Sequence, residues 1–369
     1  MTEPVAVYVH VPFCPSKCGY CDFNSYAMHG EIMRRVTDAT IAEIERGPLK
    51  GTPAKTIFFG GGTPTYLPVE QLTELLECVM AAHPPVAGCE ITSESNPGTA
   101  DADNYAAMRE AGFNRISLGA QSFFADDLLR LGRVHTSGEI ERAVRLAREA
   151  GFDNLNLDLM FALPGQSVRA WESNLDRALG LQPEHLSLYG LTLEPNTPFY
   201  KQHLKGQLEL PDDEAQVAMY DLAAQKADAA GFVHYEISNF AHPGRECAHN
   251  LCYWRHEDYA AYGPGAVGCI TTPEGRTRYT NLKHPERYAE AALAEQRLWC
   301  EFDILTPEAE QLERTMLGLR LADGVSLPGA EPRKIKDLSL RGWIETDGDV
   351  VRLTQQGRHF CSEVALELG

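Results

Sequence analysis

The chain has 369 residues, 33 Lys and Arg against 52 Asp and Glu, a formal net charge of −19, and ten Cys. At roughly 150 residues per domain this predicts two or three domains, with enough chain to bury a core without disulfide staples. The acidic balance, with no long Lys/Arg run, argues against phosphate-neutralising contact with nucleic acid and against docking on an anionic membrane by charge alone.

The first residues, MTEPVAVYVHVPF, carry no basic n-region and no long apolar h-region, so no signal peptide is expected. The apolar stretches are strand-sized and predict no transmembrane span. A cytoplasmic location follows as an expectation. In that reducing compartment the Cys residues read as ligands or buried thiols rather than disulfides.

Strands are predicted at Val5–Val11, Thr56–Phe59, Glu90–Ser93, Arg115–Leu118, Asn154–Asp158, His185–Leu191 and Val233–Ile237. Helical stretches such as Leu67–Ala82 and Glu139–Ala150 lie between them, with apolar positions three and four apart. This alternation predicts an α/β fold with a parallel sheet of βα units. A weak repeat agrees: Ala111-Gly112-Phe113, Ala150-Gly151-Phe152 and Ala230-Gly231-Phe232 each follow a helix and precede a strand. Gly suits the left-handed position after a helix, and Phe then enters the core. Six or seven such units predict a complete or partial barrel, with chemistry at the C-terminal strand ends.

From about residue 240 the pattern breaks, and His242–Gly268 reads as loop. Helices are predicted at Pro307–Leu321 and Glu331–Arg341, then a hairpin through Ile344 and Val350–Leu353. Helix, helix and hairpin resemble a small winged-helix unit, but one too acidic for DNA. The expected division is 1–240 for the barrel, 241–304 for a connecting segment and 305–369 for a winged-helix-like α+β domain.

Cys14, Cys18 and Cys21 form C-x3-C-x2-C directly after the first strand. Three thiolates at this spacing wrap one corner of a cubane and leave one iron open for a ligand. The alternative is a structural zinc knuckle, for which His10 and His29 are the nearby fourth ligands. With Tyr20 before the last Cys, the motif resembles the signature of the radical S-adenosylmethionine (SAM) enzymes. That resemblance implies a partial (βα)6 TIM-like barrel, a 4Fe-4S cluster and SAM on its open iron.

Further segments resemble one branch of that superfamily, the oxygen-independent coproporphyrinogen III oxidases and the HemW-type heme chaperones. They are Tyr8–Cys14, Gly60–Thr65, Glu94–Gly98, Gly119–Phe123, Leu131–Arg133 and Asp158–Gly165. The resemblance implies that Tyr8, Tyr20, Gly61, Gly62, Thr63, Glu94, Gln121, Arg133, Asp158 and Thr192 surround SAM. Read alone, each has a plainer role. The glycines let a ligand approach the backbone and leave its N–H and C=O groups free, or simply turn the chain. The acids accept from ribose or ammonium, or cap a helix. Arg133 grips a carboxylate, or makes a weak surface ion pair.

Cys247-Ala248-His249-Asn250-Leu251-Cys252-Tyr253-Trp254 carries His-Asn-x-x-Tyr-Trp, which distinguishes the heme-chaperone branch by resemblance. A neutral imidazole suits heme iron, and Tyr and Trp offer flat apolar area. His249 is therefore the heme candidate; the plainer reading is a loop packed on Trp254. Cys78, Cys89, Cys269, Cys300 and Cys361 read as buried thiols, and His185 as structural.

The favoured function is a heme chaperone that passes heme to an acceptor hemoprotein, such as a respiratory one. The alternatives are the oxidase and a zinc-stabilised interaction module. Phe23 stands where the oxidases carry a fourth Cys, and few residues precede Val5 where they carry a longer segment. Against this, Val267 stands where the chaperones usually carry His. An electron donor for the cluster and a homodimer are in keeping with the resemblance. Any membrane-bound acceptor would have to be met through shape or a local basic patch.

Overall fold

A computed structural model describes residues 3–369. The chain opens with β1 (Val5–Val11), α1 (Glu31–Ile44), β2 (Ala54–Gly61), α2 (Val69–Ala82), β3 (Pro85–Ser95), α3 (Ala102–Ala111) and β4 (Arg115–Gln121). It continues through α4 (Ala125–Leu131), α5 (Ser137–Glu149), β5 (Leu155–Phe161), α6 (Val168–Gly180), β6 (His185–Gly190), α7 (Pro198–Leu204) and α8 (Asp213–Ala229). Strands β1 to β6 pair in sequence order, all parallel. This is the expected α/β partial barrel.

Local chemistry explains the units. Helix α5 starts at a reciprocal Thr136–Glu139 capping box, and α3 at the matching Asp101–Asn104 pair. Ile140, Ala143, Val144 and Ala147 give α5 one buried face. Gly112, Gly151 and Gly231 all take positive φ, and Phe113, Phe152 and Phe232 after them are buried.

The next elements are β7 (Val233–Glu236), β8 (Asn239–Ala241), α9 (Ala248–Trp254), β9 (Tyr259–Tyr262), β10 (Val267–Thr272), β11 (Gly275–Asn281), α10 (Pro285–Leu293) and β12 (Trp299–Ile304). Two expectations change here. The predicted strand at Val233–Ile237 is not a further parallel strand. It turns back through Ile237 and Ser238 into β8, and so short a link allows only antiparallel pairing. It is β8 that lies beside β6, also antiparallel.

Nor is His242–Gly268 a loop. It holds α9 and β9, and β9 pairs parallel with β1. Strands β10 to β12 then extend the sheet as an antiparallel wing. Both elements depend on distant partners. The Glu90 carboxylate of β3 accepts the N–H groups of Ala248 and His249 at 3.2 Å each, at the start of α9. Cys300, expected to be buried, is exposed on the edge strand β12.

The chain closes with α11 (Pro307–Gly318), β13 (Val325–Ser326), α12 (Pro332–Leu340), β14 (Ile344–Asp347), β15 (Val350–Leu353) and α13 (Cys361–Leu368). These form a winged-helix-like unit with its own core, including Leu319, Leu338, Ile344, Val351 and Val364. Its Arg320 reaches the fully buried Glu236 of β7 at 3.1 Å. Among the described residues no helix is long and apolar enough to cross a membrane.

Buried Glu43 of α1 joins the barrel to the wing. It accepts from Gly263 N–H at 2.8 Å, from the Asn281 amide at 2.7 Å and from the Tyr288 hydroxyl. Burial pushes its pKa up to about 7 despite these bonds. Glu43→Leu strands all three donors and is expected to cost about 2–4 kcal/mol of unfolding free energy, measured by urea titration. Because the folded pKa lies above the unfolded one, the Glu43 contribution falls as pH rises from about 4.5 to about 7. The stability difference between wild type and Glu43→Gln should shrink over that window.

Candidate functional site: a cysteine loop over a polar cavity

The cysteine loop leaves the C-terminal end of β1, where parallel-strand ends converge. Cys14 N–H donates to the Tyr26 carbonyl at 3.1 Å, and Gly19 N–H donates to the Leu131 carbonyl at 3.2 Å. Lys17 holds the return of the loop through the Phe23 carbonyl at 2.6 Å and the Ser25 carbonyl at 3.1 Å. All three thiols are free and partly buried. Burial raises the Cys14 and Cys21 thiol pKa values, so these two stay protonated until a metal takes the proton's place. Among the described residues no three His, Cys, Asp or Glu side chains converge closely enough to grip a single ion.

Under the loop lies a cavity of about 590 Å³. Cys14, Cys18, Cys21, Tyr20, Gly61, Gly62, Thr63, Glu94, Gln121, Arg133, Asp158 and Thr192 all line it. Of the expected SAM neighbours only Tyr8 does not; it lies deeper in the barrel, beside Glu94 and Asp158.

The glycine loop works differently from its sequence reading. Gly61 N–H donates to Glu94 Oε2 at 3.1 Å, Gly62 N–H to the Val11 carbonyl at 2.8 Å and Thr63 N–H to the Phe13 carbonyl at 2.7 Å. Those N–H groups are spent on holding the cysteine loop and Glu94. What the glycines provide is room. Gly61 sits at φ +105°, and a Cβ there would strike the His10 ring.

Glu94 and Asp158 at the inner wall and Arg133 beside Cys18 divide the charge of the cavity, which Asp22 and Glu194 also line. Enclosure, then the neighbouring Asp158, push the Glu94 pKa up to about 8. Burial also raises the Asp158 pKa, although Ser117 donates to it at 3.1 Å and Asn156 at 2.8 Å. Arg133 donates to Asn96 Oδ1 at 2.5 Å and the Gly119 carbonyl at 2.7 Å, and approaches Cys18 Sγ at 3.8 Å. Among the described residues it pairs with no carboxylate. The cavity thus offers acid at one wall and an unpaired guanidinium at another, which suits a ligand with both ammonium and carboxylate.

His249 lies behind this cavity, 1 % exposed. Its Nδ1 meets the Thr56 hydroxyl and its Nε2 the Tyr253 hydroxyl, each at 2.8 Å. Burial lowers its pKa to about 3, so the ring is neutral. Neither nitrogen is open to an iron in this arrangement.

Residues 8–178 match the radical SAM superfamily. The heme chaperone HemW of Bacillus subtilis is 39 % identical, over 97 % of this chain and 97 % of its own length. That of Escherichia coli is 42 % identical over 79 % and 77 %. The chain belongs to the HemW heme chaperone family. Its fold also matches the coproporphyrinogen III oxidase of Escherichia coli, a radical SAM enzyme, with a TM-score of 0.84 and 22 % identity over 99 % of this chain and 90 % of that one.

Membership in this radical SAM family implies a 4Fe-4S cluster and SAM. The residues present fit both: three free thiols on one loop above a cavity with complementary charge. When bound, the cluster supplies an open iron. Cys14, Cys18 and Cys21 would hold it, with Arg133, Glu94 and Asp158 around SAM. Asn96 lies in the Glu94–Gly98 segment without having been singled out, and Ser117, Tyr189, Gly190 and Glu194, which also line the cavity, lie outside the family-like segments. Tyr189, Gly190 and Glu194 sit at or beyond the end of β6, while Ser117 lies inside β4 with its side chain towards Asp158.

Cys18→Ser is expected to lower iron bound after anaerobic reconstitution well below wild type, measured by metal analysis. A cationic ligand favours the Glu94 carboxylate, so wild-type SAM affinity should gain over Glu94→Gln as pH rises towards 8. Above that pH the ratio should level at roughly tenfold or more, measured by calorimetry.

Proposed function

We propose that this chain is a heme chaperone. It binds heme as cargo and passes it to an acceptor hemoprotein, with the cluster and SAM as resident cofactors. The observation that carries this is 39 % identity to a heme chaperone across 97 % of both chains. Phe23 at the position of the oxidases' fourth Cys supports it, and so does His-Asn-x-x-Tyr-Trp on α9. The chaperone acts in the cytoplasm, draws electrons for its cluster from a donor, and meets a membrane-bound acceptor at the membrane surface through that partner. A homodimer is compatible with this role.

In this reading His249 serves the heme site by position. Its Nε2 holds the Tyr253 hydroxyl, and burial keeps the imidazole neutral. His249→Ala frees the Tyr253 ring and weakens heme binding without removing an iron ligand.

One preparation tests the function. The anaerobically reconstituted chain is expected to bind hemin near one equivalent, read by absorbance titration. It is expected to give no multiple-turnover decarboxylation of coproporphyrinogen III. Sustained turnover would overturn the chaperone reading.

A further inference from the structure

Thr63 follows β2, Asn96 follows β3 and Arg133 follows α4, yet their side chains join in one line of hydrogen bonds. Arg133 Nη2 donates to Asn96 Oδ1 at 2.5 Å, and Asn96 Nδ2 donates to Thr63 Oγ1 at 2.7 Å. Thr63 Oγ1 lies 3.5 Å from Cys14 Sγ at one end, and Arg133 Nη1 lies 3.8 Å from Cys18 Sγ at the other. The line therefore starts and finishes on two of the three cysteines expected to hold the cluster.

Its direction follows from the groups in it. A guanidinium only donates, so Asn96 turns its side-chain oxygen to Arg133 and its amide nitrogen to Thr63. The Thr63 oxygen accepts that N–H and keeps its own proton for Cys14. A thiolate on iron has no proton to give, so sulfur is the acceptor at both ends. The surroundings hold this arrangement. Thr63 is buried, and the Asn96 backbone carbonyl accepts the Thr99 N–H at 3.0 Å and the Thr99 hydroxyl at 2.7 Å. Gly119 leaves room for the Arg133–Asn96 bond: a Cβ there would lie 2.9 Å from Asn96 Oδ1 and 3.3 Å from Arg133 Nη2.

Hydrogen bonds to its sulfurs are one of the levers that set a cluster's reduction potential. Reduction adds one electron and makes the thiolate sulfurs more negative, so donors aimed at them favour the reduced form. We infer that Arg133, Asn96 and Thr63 form a directed relay that raises the cluster's reduction potential. Asn96 is its positioning residue: it aims the Thr63 hydroxyl at Cys14 and holds Arg133 beside Cys18. The inference rests on the cluster of the proposed function and does not involve its heme.

The test is an anaerobic redox titration of the reconstituted full-length chain. Dithionite is the one-electron reductant, and electron paramagnetic resonance reports the reduced cluster. Thr63→Val keeps the branched shape and removes the hydroxyl. It is expected to make reduction about tenfold less favourable, a potential lower by about 59 mV for one electron. Thr63→Ser returns the hydroxyl and is expected to restore the wild-type potential. Asn96→Asp still grips Arg133 but has no N–H to give, so the Thr63 hydroxyl turns to the carboxylate and away from Cys14. Its potential is also expected to fall, and in the Thr63→Val background Asn96→Asp should add less than its full effect. A wild-type potential in iron-loaded Thr63→Val, or full additivity in the double variant, would overturn the relay. Should Thr63→Val take up no iron, Asn96→Asp decides alone, and a wild-type potential there overturns the relay. A wild-type chain that takes up no iron would overturn the relay together with the cluster. A chain that takes up iron but binds no hemin would overturn the chaperone reading and leave the relay standing.

Discussion

Strand β1 is hydrogen-bonded on both sides, to β2 and to β9, and this double pairing holds the two halves of the chain in one register. The valines at positions 5, 7, 9 and 11 share one face of this strand and enter the main core together. Its C-terminal end launches the cysteine loop. Tyr8 and His10, two residues apart, share the other face. The Tyr8 hydroxyl donates to His10 Nδ1 at 3.0 Å, while His10 Nε2–H donates to the Asn24 carbonyl at 2.9 Å. The second ring nitrogen of His10 thereby ties the strand to the end of the cysteine loop.

Charge then divides the first cavity. Glu94 and Asp158 raise each other's cost of ionisation inside the barrel, and a cationic group would relieve it. Arg133 holds the opposite sign beside Cys18, with its donors on neutral oxygens. Such a field orients a zwitterion more than it attracts any single charge. The surplus of acidic residues over the whole chain plays no part in this, because the orienting groups are local and enclosed.

A run of rings leads from the inner pocket of the barrel to the wing. Tyr8, Phe58, His249, Tyr253 and Tyr259 follow one another at centroid distances of 6.3, 5.0, 4.9 and 4.7 Å. Tyr8 and Tyr253 line both the inner pocket of the barrel and a cavity at the wing.

The sequence by itself determined what short-range chemistry controls. The cysteine spacing, the Ala-Gly-Phe repeat with its left-handed glycines and the parallel βα units of β1 to β6 were legible because their signals are carried by neighbours in the chain. Most of the residues that line the first cavity were legible too, through motifs near strand ends. The tertiary structure decided the rest. Helix α9 has seven residues and is anchored by Glu90, far away in β3, so its own periodicity was too short to show it. Strand β9 exists through its pairing with β1. His249 looked like an available ligand until Thr56 and Tyr253 took both its nitrogens, whereas His256 carried no motif and emerged as the imidazole without partners. Whether a side chain is satisfied or orphaned depends on groups distant in sequence, and only packing brings those groups together.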